Sequence, residues 1–223
     1  MIPEIKNAKA ILFDMDGVII DSMKYHAICW VEIFKSKGIL IEEKEIFERE
    51  GIKPSELIYE MFNRDGQNIE HFSMQKILDE KIDYYWRKYD PKPFEKIYSV
   101  LEKLHDSFKL AIVSGSTKFN VNKVLTDFNL KKYFHVVIHS DLVNIGKPHP
   151  MSFIKAYEEL NLSPDDCICI ENAPYGIRSA KAAGIYTVAI TTTLDENTLL
   201  DAGADLVIAK HEEIIELFDG VNI

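Results

Sequence analysis

The sequence predicts an α/β fold: a doubly wound parallel-sheet core with an inserted all-helical cap. Three observations lead there. A short apolar run, Ala10-Ile11-Leu12-Phe13, is followed at once by Asp14-Met15-Asp16-Gly17. From about residue 21 to 89 the periodicity is helical, with no convincing strand. From Phe94 onward strands alternate with helices of ten or so residues, which implies right-handed crossovers and a Rossmann-like sheet. The core is assigned to residues 1–20 and 93–223, and the cap to 21–92.

Taken in order, residues 10–13 contain no polar side chain and read as a strand buried on both faces. Asp14 falls at its carboxyl end and Asp16 just beyond, with Gly17 allowing a sharp turn. Residues 24–37 form a first cap helix, with Ile28, Val31, Ile33 and Phe34 to pack and Gly38 to end it. Short helices follow at 42–50 and 54–63, the second opened by Pro54 in its first turn. The acidic run 42–50 reads only as a solvated helix face. A longer helix at 70–89 is stopped by Asp90-Pro91-Lys92-Pro93. In the core, helices at 94–106, 118–128, 151–160, 173–183 and 195–202, and one last helix, alternate with strands at 109–113, 136–139, 167–170, 186–190 and 206–208.

Composition narrows the class. With 223 residues, 47% hydrophobic and 28% charged, the chain has the makeup of an ordinary globular protein. A formal net charge of -10 argues against a nucleic-acid partner but leaves room for a small anion bound at a local positive site. No apolar run approaches the roughly 20 residues of a membrane helix. The start lacks a basic segment followed by an apolar one, so a cytoplasmic location without membrane partners is expected. Cys167 and Cys169 alternate in Cys-Ile-Cys-Ile and belong on one strand face. They and Cys29 read as free thiols.

Three later stations repeat the pattern of the first. Ser114, in Val113-Ser114-Gly115-Ser116, follows a buried strand and precedes a helix, where hydroxyl and backbone N–H groups can cradle an anion. Lys147 lies in Gly146-Lys147-Pro148-His149-Pro150, just before another helix. Glu171-Asn172 ends the strand that contains the two cysteines. Each has an ordinary reading alone: a polar turn, a helix cap, a turn lysine, a cap asparagine. Together they place carboxylates, a hydroxyl, a lysine and an amide at the carboxyl ends of successive strands, the edge where open α/β sheets bind ligands. That inventory suits Mg²⁺-assisted phosphoryl transfer to or from a small phosphorylated metabolite.

With these motifs the sequence resembles the haloacid dehalogenase superfamily, specifically its β-phosphoglucomutase-like branch with a helical cap. The motifs are Asp14-Met15-Asp16-Gly17-Val18, Asp21-Ser22, Ser114, Lys147-Pro148, and Glu171-Asn172 with Gly176 and Ala182-Ala183-Gly184. The resemblance implies that Asp14 is a nucleophile forming an aspartyl-phosphate, and that Asp16 is the general acid and then base. For the acid role Asp16 is expected to hold a proton in part near neutral pH. Ser114 and Lys147 are implied to hold phosphoryl oxygens, with Gly115 and Ser116 beside them. Asp14, the Asp16 carbonyl, Glu171 (directly or through water) and Asn172 are implied to bind Mg²⁺. Asn172 departs from the branch, which usually has aspartate there. The amide leaves the site one charge more positive and is a weaker ligand for a hard cation, so Asn172→Asp is expected to tighten Mg²⁺ binding.

The cap chooses the substrate. Ser22, His26 and Lys81 are candidate substrate contacts by resemblance to sugar-phosphate members, and Trp30 matches the tryptophan they place after His26. Lys81 also reads as a lysine on a solvated helix face. Pro54 stands where the mutase carries a phosphate-clamping arginine, with Lys53 a less geometric substitute, and Pro93-Phe94 replaces the usual Pro-Gly. A phosphatase of sugar or polyol phosphates is therefore expected ahead of a β-phosphoglucomutase. It is expected to act as a monomer or weak homodimer. A dehalogenase would not need Asp16, and a non-catalytic relative would not need both Asp14 and Lys147. Hinges for cap motion are expected near residues 18–22 and 91–93.

Overall fold

The computed structural model describes residues 3–69 and 73–219. In chain order the strands are β1 (Ala10–Phe13), β2 (Ile20–Asp21), β3 (Lys92–Pro93), β4 (Lys109–Val113), β5 (Val136–Ile138), β6 (Cys167–Glu171), β7 (Tyr186–Ile190) and β8 (Leu206–Ile208). The α-helices are α1 (Pro3–Lys6), α2 (Met23–Ser36), α3 (Glu43–Phe47), α4 (Pro54–Arg64), α5 (Met74–Lys88), α6 (Ile97–His105), α7 (Lys118–Asp127), α8 (Met151–Glu159), α9 (Pro174–Ala182), α10 (Glu196–Asp201) and α11 (His211–Phe218). The helix expected from residue 70 has its first three residues outside the described ones, as do residues 1, 2 and 220–223 assigned to the core. The four-residue α1 and the β2–β3 pair have no counterpart in the sequence reading.

Six strands form one parallel sheet in the order β5-β4-β1-β6-β7-β8. The chain winds outward from β1 through β4 to β5, then returns past β1 to β6 and continues to β8. This makes β1 the switch point of the sheet, where the crevice for a ligand opens. Both faces of β1 are covered. Ile11 and Phe13 pack into a cluster with α6, α7 and α11, while Ala10 and Leu12 face the opposite cluster with α8 and α9. Cys167 and Cys169 share that second face, as their alternation implies, and all three cysteines are buried and free.

Between β2 and β3, helices α2 to α5 gather around their own apolar cluster of Ala27, Trp30, Phe34, Leu57, Met61 and Phe62, among others. The two connections to this helical insertion are not independent strings. They pair antiparallel, Ile20 with Pro93 and Asp21 with Lys92, and Phe94 N–H donates to the Ile19 carbonyl at 3.1 Å. Both linker stretches are short, extended and adjacent, so pairing satisfies backbone groups that would otherwise face the buried side chains of Ile19 and Ile20.

The insertion rests on the strand ends through close backbone contact and polar latches. Lys53 Nζ donates to the Val143 carbonyl at 3.0 Å, and Gly146 N–H donates to Glu56 Oε1 at 3.0 Å. Gly115 lies so near the insertion that a Cβ there would come within 2.3 Å of the Gly51 carbonyl oxygen. Backbone cannot yield as a side chain can. Gly115→Ala is therefore expected to fold while holding the insertion off the core, seen as a larger radius of gyration in solution scattering. An unchanged radius would mean that the two backbones can slide past one another.

Candidate active site

The turn after β1 is held on three sides. Gly17 takes φ +84°, a conformation that costs a side-chain-bearing residue energy. Its carbonyl accepts from Thr192 Oγ1 at 2.6 Å, and the Val18 carbonyl bonds to His211 Nε2 at 2.8 Å. Asp14 N–H donates to the Ile170 carbonyl at 2.9 Å, fixing Asp14 at the edge of the sheet.

Lys147 lies under this turn, 1% exposed. Its ammonium donates to Asp14 Oδ1 at 2.6 Å, Glu171 Oε1 at 2.7 Å and the Val113 carbonyl at 2.9 Å. Three protons thus meet three acceptors, and the carboxylates hold the ammonium charged despite burial. Glu171 Oε2 accepts from Asn172 N–H at 2.8 Å and Ala173 N–H at 3.1 Å, so both its oxygens are committed. Gly176 makes room for it, because a Cβ there would fall 1.6 Å from Glu171 Oε1. Burial pushes the Asp14 carboxyl up to about 8; Lys147 opposes the shift, and Glu171 and Asp16 add to it. The buried cluster holds more negative charge than Lys147 can balance.

Asp16 has a different environment. Ser22 Oγ donates to its Oδ1 at 2.7 Å, His26 Nε2 lies 3.1 Å from the same oxygen, and Ser116 Oγ donates to Oδ2 at 2.7 Å. Burial alone would raise its carboxyl, but His26 and the two hydroxyls outweigh burial and hold it below the ordinary carboxylate range. The expectation that Asp16 holds a proton is not met here, because the charged form receives three hydrogen bonds. Behind His26, Lys81 Nζ lies 2.5 Å from Nδ1. An ammonium can only donate, so Nδ1 accepts and Nε2–H points at Asp16. Burial and Lys81 lower the His26 pKa, keeping the ring neutral, and Tyr85 stacks on it at 4.3 Å.

Lys81 is thus not on a solvated face. It is 6% exposed, its Nζ 5.4 Å from the Trp30 ring centre and 5.0 Å from that of Tyr85. Asp14, Asp16, His26, Lys81, Ser114, Gly115 and Ser116 all line one cavity of about 70 Å³, roofed by Trp30, Ile52, Pro54 and other insertion residues. Ser22 lies behind Asp16, and Glu171 and Asn172 lie beside Asp14 and Gly17. The space suits a phosphate-sized anion or a few waters.

One residue in this site escaped sequence reading. Glu50, at the end of the acidic run, is 6% exposed and not solvated, and its Oε1 accepts from Asn172 Nδ2 at 2.7 Å. Burial, above all, raises its pKa well above the ordinary range. A position directly before Gly51, in a loop that must cross to the core, was the available signal.

The Lys81 ammonium loses its proton near 8 in the folded chain, lowered by burial from 10.5. Between those values the unfolded state binds the extra proton, so stability rises with pH. Relative to Lys81→Met, wild-type stability is expected to climb from about pH 8 to about 10.5 in urea melts at stepped pH. A flat difference would place the lysine in water.

Comparison with known proteins agrees with this geometry. A model of the family described as haloacid dehalogenase-like hydrolase matches residues 11–190. β-Phosphoglucomutase of Bacillus subtilis is 27% identical over 92% of this chain and 91% of its own length. Phosphorylated carbohydrates phosphatase of Thermotoga maritima is 28% identical over 96% of this chain and 99% of its own. The crystal structure of β-phosphoglucomutase from Clostridium difficile superposes with a TM-score of 0.79 at 26% identity, covering 95% of this chain and 97% of that one. The chain therefore belongs to the haloacid dehalogenase-like hydrolase family, in its β-phosphoglucomutase-like branch.

Proposed function

We propose that this enzyme is a Mg²⁺-dependent phosphatase of small phosphomonoesters, sugar or polyol phosphates, working through an aspartyl-phosphate on Asp14. The observation that carries this reading is the division of labour at Asp14. Lys147 pins Oδ1, whereas Oδ2 makes no hydrogen bond among the described residues and belongs to a side chain lining the cavity. A carboxylate fixed by one oxygen and free at the other is placed to attack phosphorus.

The residues fit a hard divalent cation. Among the described residues no three of His, Cys, Asp and Glu converge as a metal cluster, so the fit depends on amide and carbonyl oxygens. Asn172 Oδ1 supports it, being buried without a hydrogen-bond partner. Asp14, the Asp16 carbonyl and Asn172 would hold Mg²⁺, with Glu171 acting through water because its own oxygens are taken. Bound there, Mg²⁺ would neutralise charge on the transferring phosphoryl group.

In the first step Asp14 Oδ2 bonds to phosphorus as the ester P–O bond breaks, and Asp16 gives its proton to the leaving oxygen. Since the charged form of Asp16 is favoured in the present arrangement, it must first take up a proton from solvent or from a monoanionic phosphate ester, as the arriving substrate draws Ser116 off Oδ2. In the second step Asp16 takes a proton from water, which attacks the acyl phosphate and frees Asp14 and inorganic phosphate. Ser114, Gly115 and Ser116 hold the phosphoryl oxygens. Lys147 keeps Asp14 oriented and opposes the upward pull of burial on its carboxyl, a role closer to positioning than to direct phosphate contact.

The relatives include both a mutase and a phosphatase, so the choice rests on the insertion. A mutase must grip a second phosphate. Pro54 opens α4 at the cavity roof, Lys53 is engaged with Val143, and Arg49 donates to Glu60 Oε1 and the Glu45 carbonyl. These commitments favour the phosphatase.

Phosphate release with Mg²⁺ from a panel of sugar and polyol phosphates is expected, falling by several orders of magnitude in Asp14→Asn. Conversion of β-glucose 1-phosphate to glucose 6-phosphate without release would select the mutase instead. A second outcome follows from Asp14 titrating near 8 in the cation-free chain. At pH 7 it holds a proton that a cation must displace, so Mg²⁺ binding is expected to release protons at pH 7 and fewer at pH 9.5. Calorimetry in buffers of different ionisation enthalpy measures this, and Asn at position 14 should reduce the release.

A further inference from the structure

Glu50 presents a problem that the proposed mechanism does not use. It follows α3 in the insertion, yet its side chain is buried against the end of β6 in the core. Among the described residues it forms no ion pair. Its Oε2 is buried without a hydrogen-bond partner, and so is Asn172 Oδ1 on the residue it touches. Two unpartnered oxygens, one from each side of the cleft, thus occur on side chains already in contact.

The orientation of Asn172 follows from its neighbours. Its Nδ2 donates to Glu50 Oε1 at 2.7 Å and to Thr193 Oγ1 at 3.0 Å, which uses both amide hydrogens. Oδ1 is left with nothing to accept from. Both side chains also crowd the turn that contains Asp16. A Cβ on Gly17 would lie 2.1 Å from Asn172 Nδ2 and 2.9 Å from Glu50 Oε1. No side chain could stand between the pair and that turn.

We propose that Glu50 is a member of the cation site, supplied by the insertion, where it provides the carboxylate that position 172 lacks. This rests on the reading that a divalent cation binds at Asp14 and Asn172. The amide at 172 removes one negative charge from the core side, and Glu50 returns it from the other side. A hard oxygen-seeking cation satisfies Asn172 Oδ1 and Glu50 Oε2 together, which no side chain present does. Because residue 50 belongs to the insertion, closure adds a cation-binding group and the cation favours closure, each by the same factor. The benefit expected of aspartate at 172 is then conditional. With Glu50 in place, aspartate would set two carboxylates against each other; with Glu50 neutralised, it would restore a carboxylate to the site.

The test uses the full chain without substrate, titrated with Mg²⁺ by calorimetry and followed by solution scattering at each addition. Wild type is expected to bind Mg²⁺ and contract. Glu50→Gln, nearly isosteric and still able to accept from Asn172, is expected to bind about tenfold or more weakly and to contract less, with the melting temperature of the cation-free chain kept. Adding Asn172→Asp to Glu50→Gln should recover affinity, whereas Asn172→Asp alone should gain little. Wild-type affinity in Glu50→Gln, with binding abolished in Asp14→Asn, would overturn the role of Glu50 and leave the cation site standing. Undiminished binding in Asp14→Asn would instead overturn the placement of the cation on which both readings rest.

Discussion

Everything in the site depends on one buried ammonium. Lys147 is tied to Asp14, Glu171 and the Val113 carbonyl, so it joins the ends of β1, β4 and β6 around a single charge. Removing such a charge from water is costly unless its partners are close and well aimed, and here all three are. The arrangement also sets the balance of the site. One lysine faces both Asp14 and Glu171; burial above all raises Asp14, Glu171 and Asp16 add to the shift, and a cation would offset that negative charge.

Sheet and helices were legible because their signals are local. Alternation placed Cys167 and Cys169 on one face, uninterrupted apolar runs marked buried strands, and Pro, Gly and polar clusters marked the ends of elements. The strand-end stations were legible for the same reason: an apolar run followed at once by an acid or a hydroxyl can be read without knowing what lies opposite. What stayed hidden depends on partners far apart in sequence. Asp16 and His26 are ten residues apart, but the Lys81 that sets the His26 tautomer is 55 residues further on, and Asn172 is 122 residues from Glu50. A glutamate closing an acidic run has no local mark of burial, and a lysine on an amphipathic helix has none of its aromatic surroundings.

The contrast between Asp14 and Asp16 shows how two carboxylates two residues apart can acquire opposite characters. Both are buried. Asp14 shares one lysine with another acid, whereas Asp16 receives two hydroxyl hydrogen bonds and faces an imidazole whose pKa burial and Lys81 lower. His26 and the hydroxyl hydrogen bonds outweigh burial at Asp16; at Asp14 burial wins. The shift at Asp16 therefore could not be inferred from its closeness to Asp14, because its donors come from α2, α5 by way of His26, and the loop after β4.

The paired linkers have a geometric consequence. Because Ile20 is bonded in register with Pro93 and Asp21 with Lys92, the two tethers cannot slide or twist separately without losing that ladder. A helical insertion on two free strings could wander through many orientations. On a two-stranded ribbon, any motion of the insertion would be restricted to something near a single degree of freedom, a flap bending across the ribbon. Each swing would return Gly51 to Gly115, Glu56 to Gly146 and Glu50 to Asn172 together. A search for the closed arrangement along such a path would be one-dimensional, with its contacts registering together.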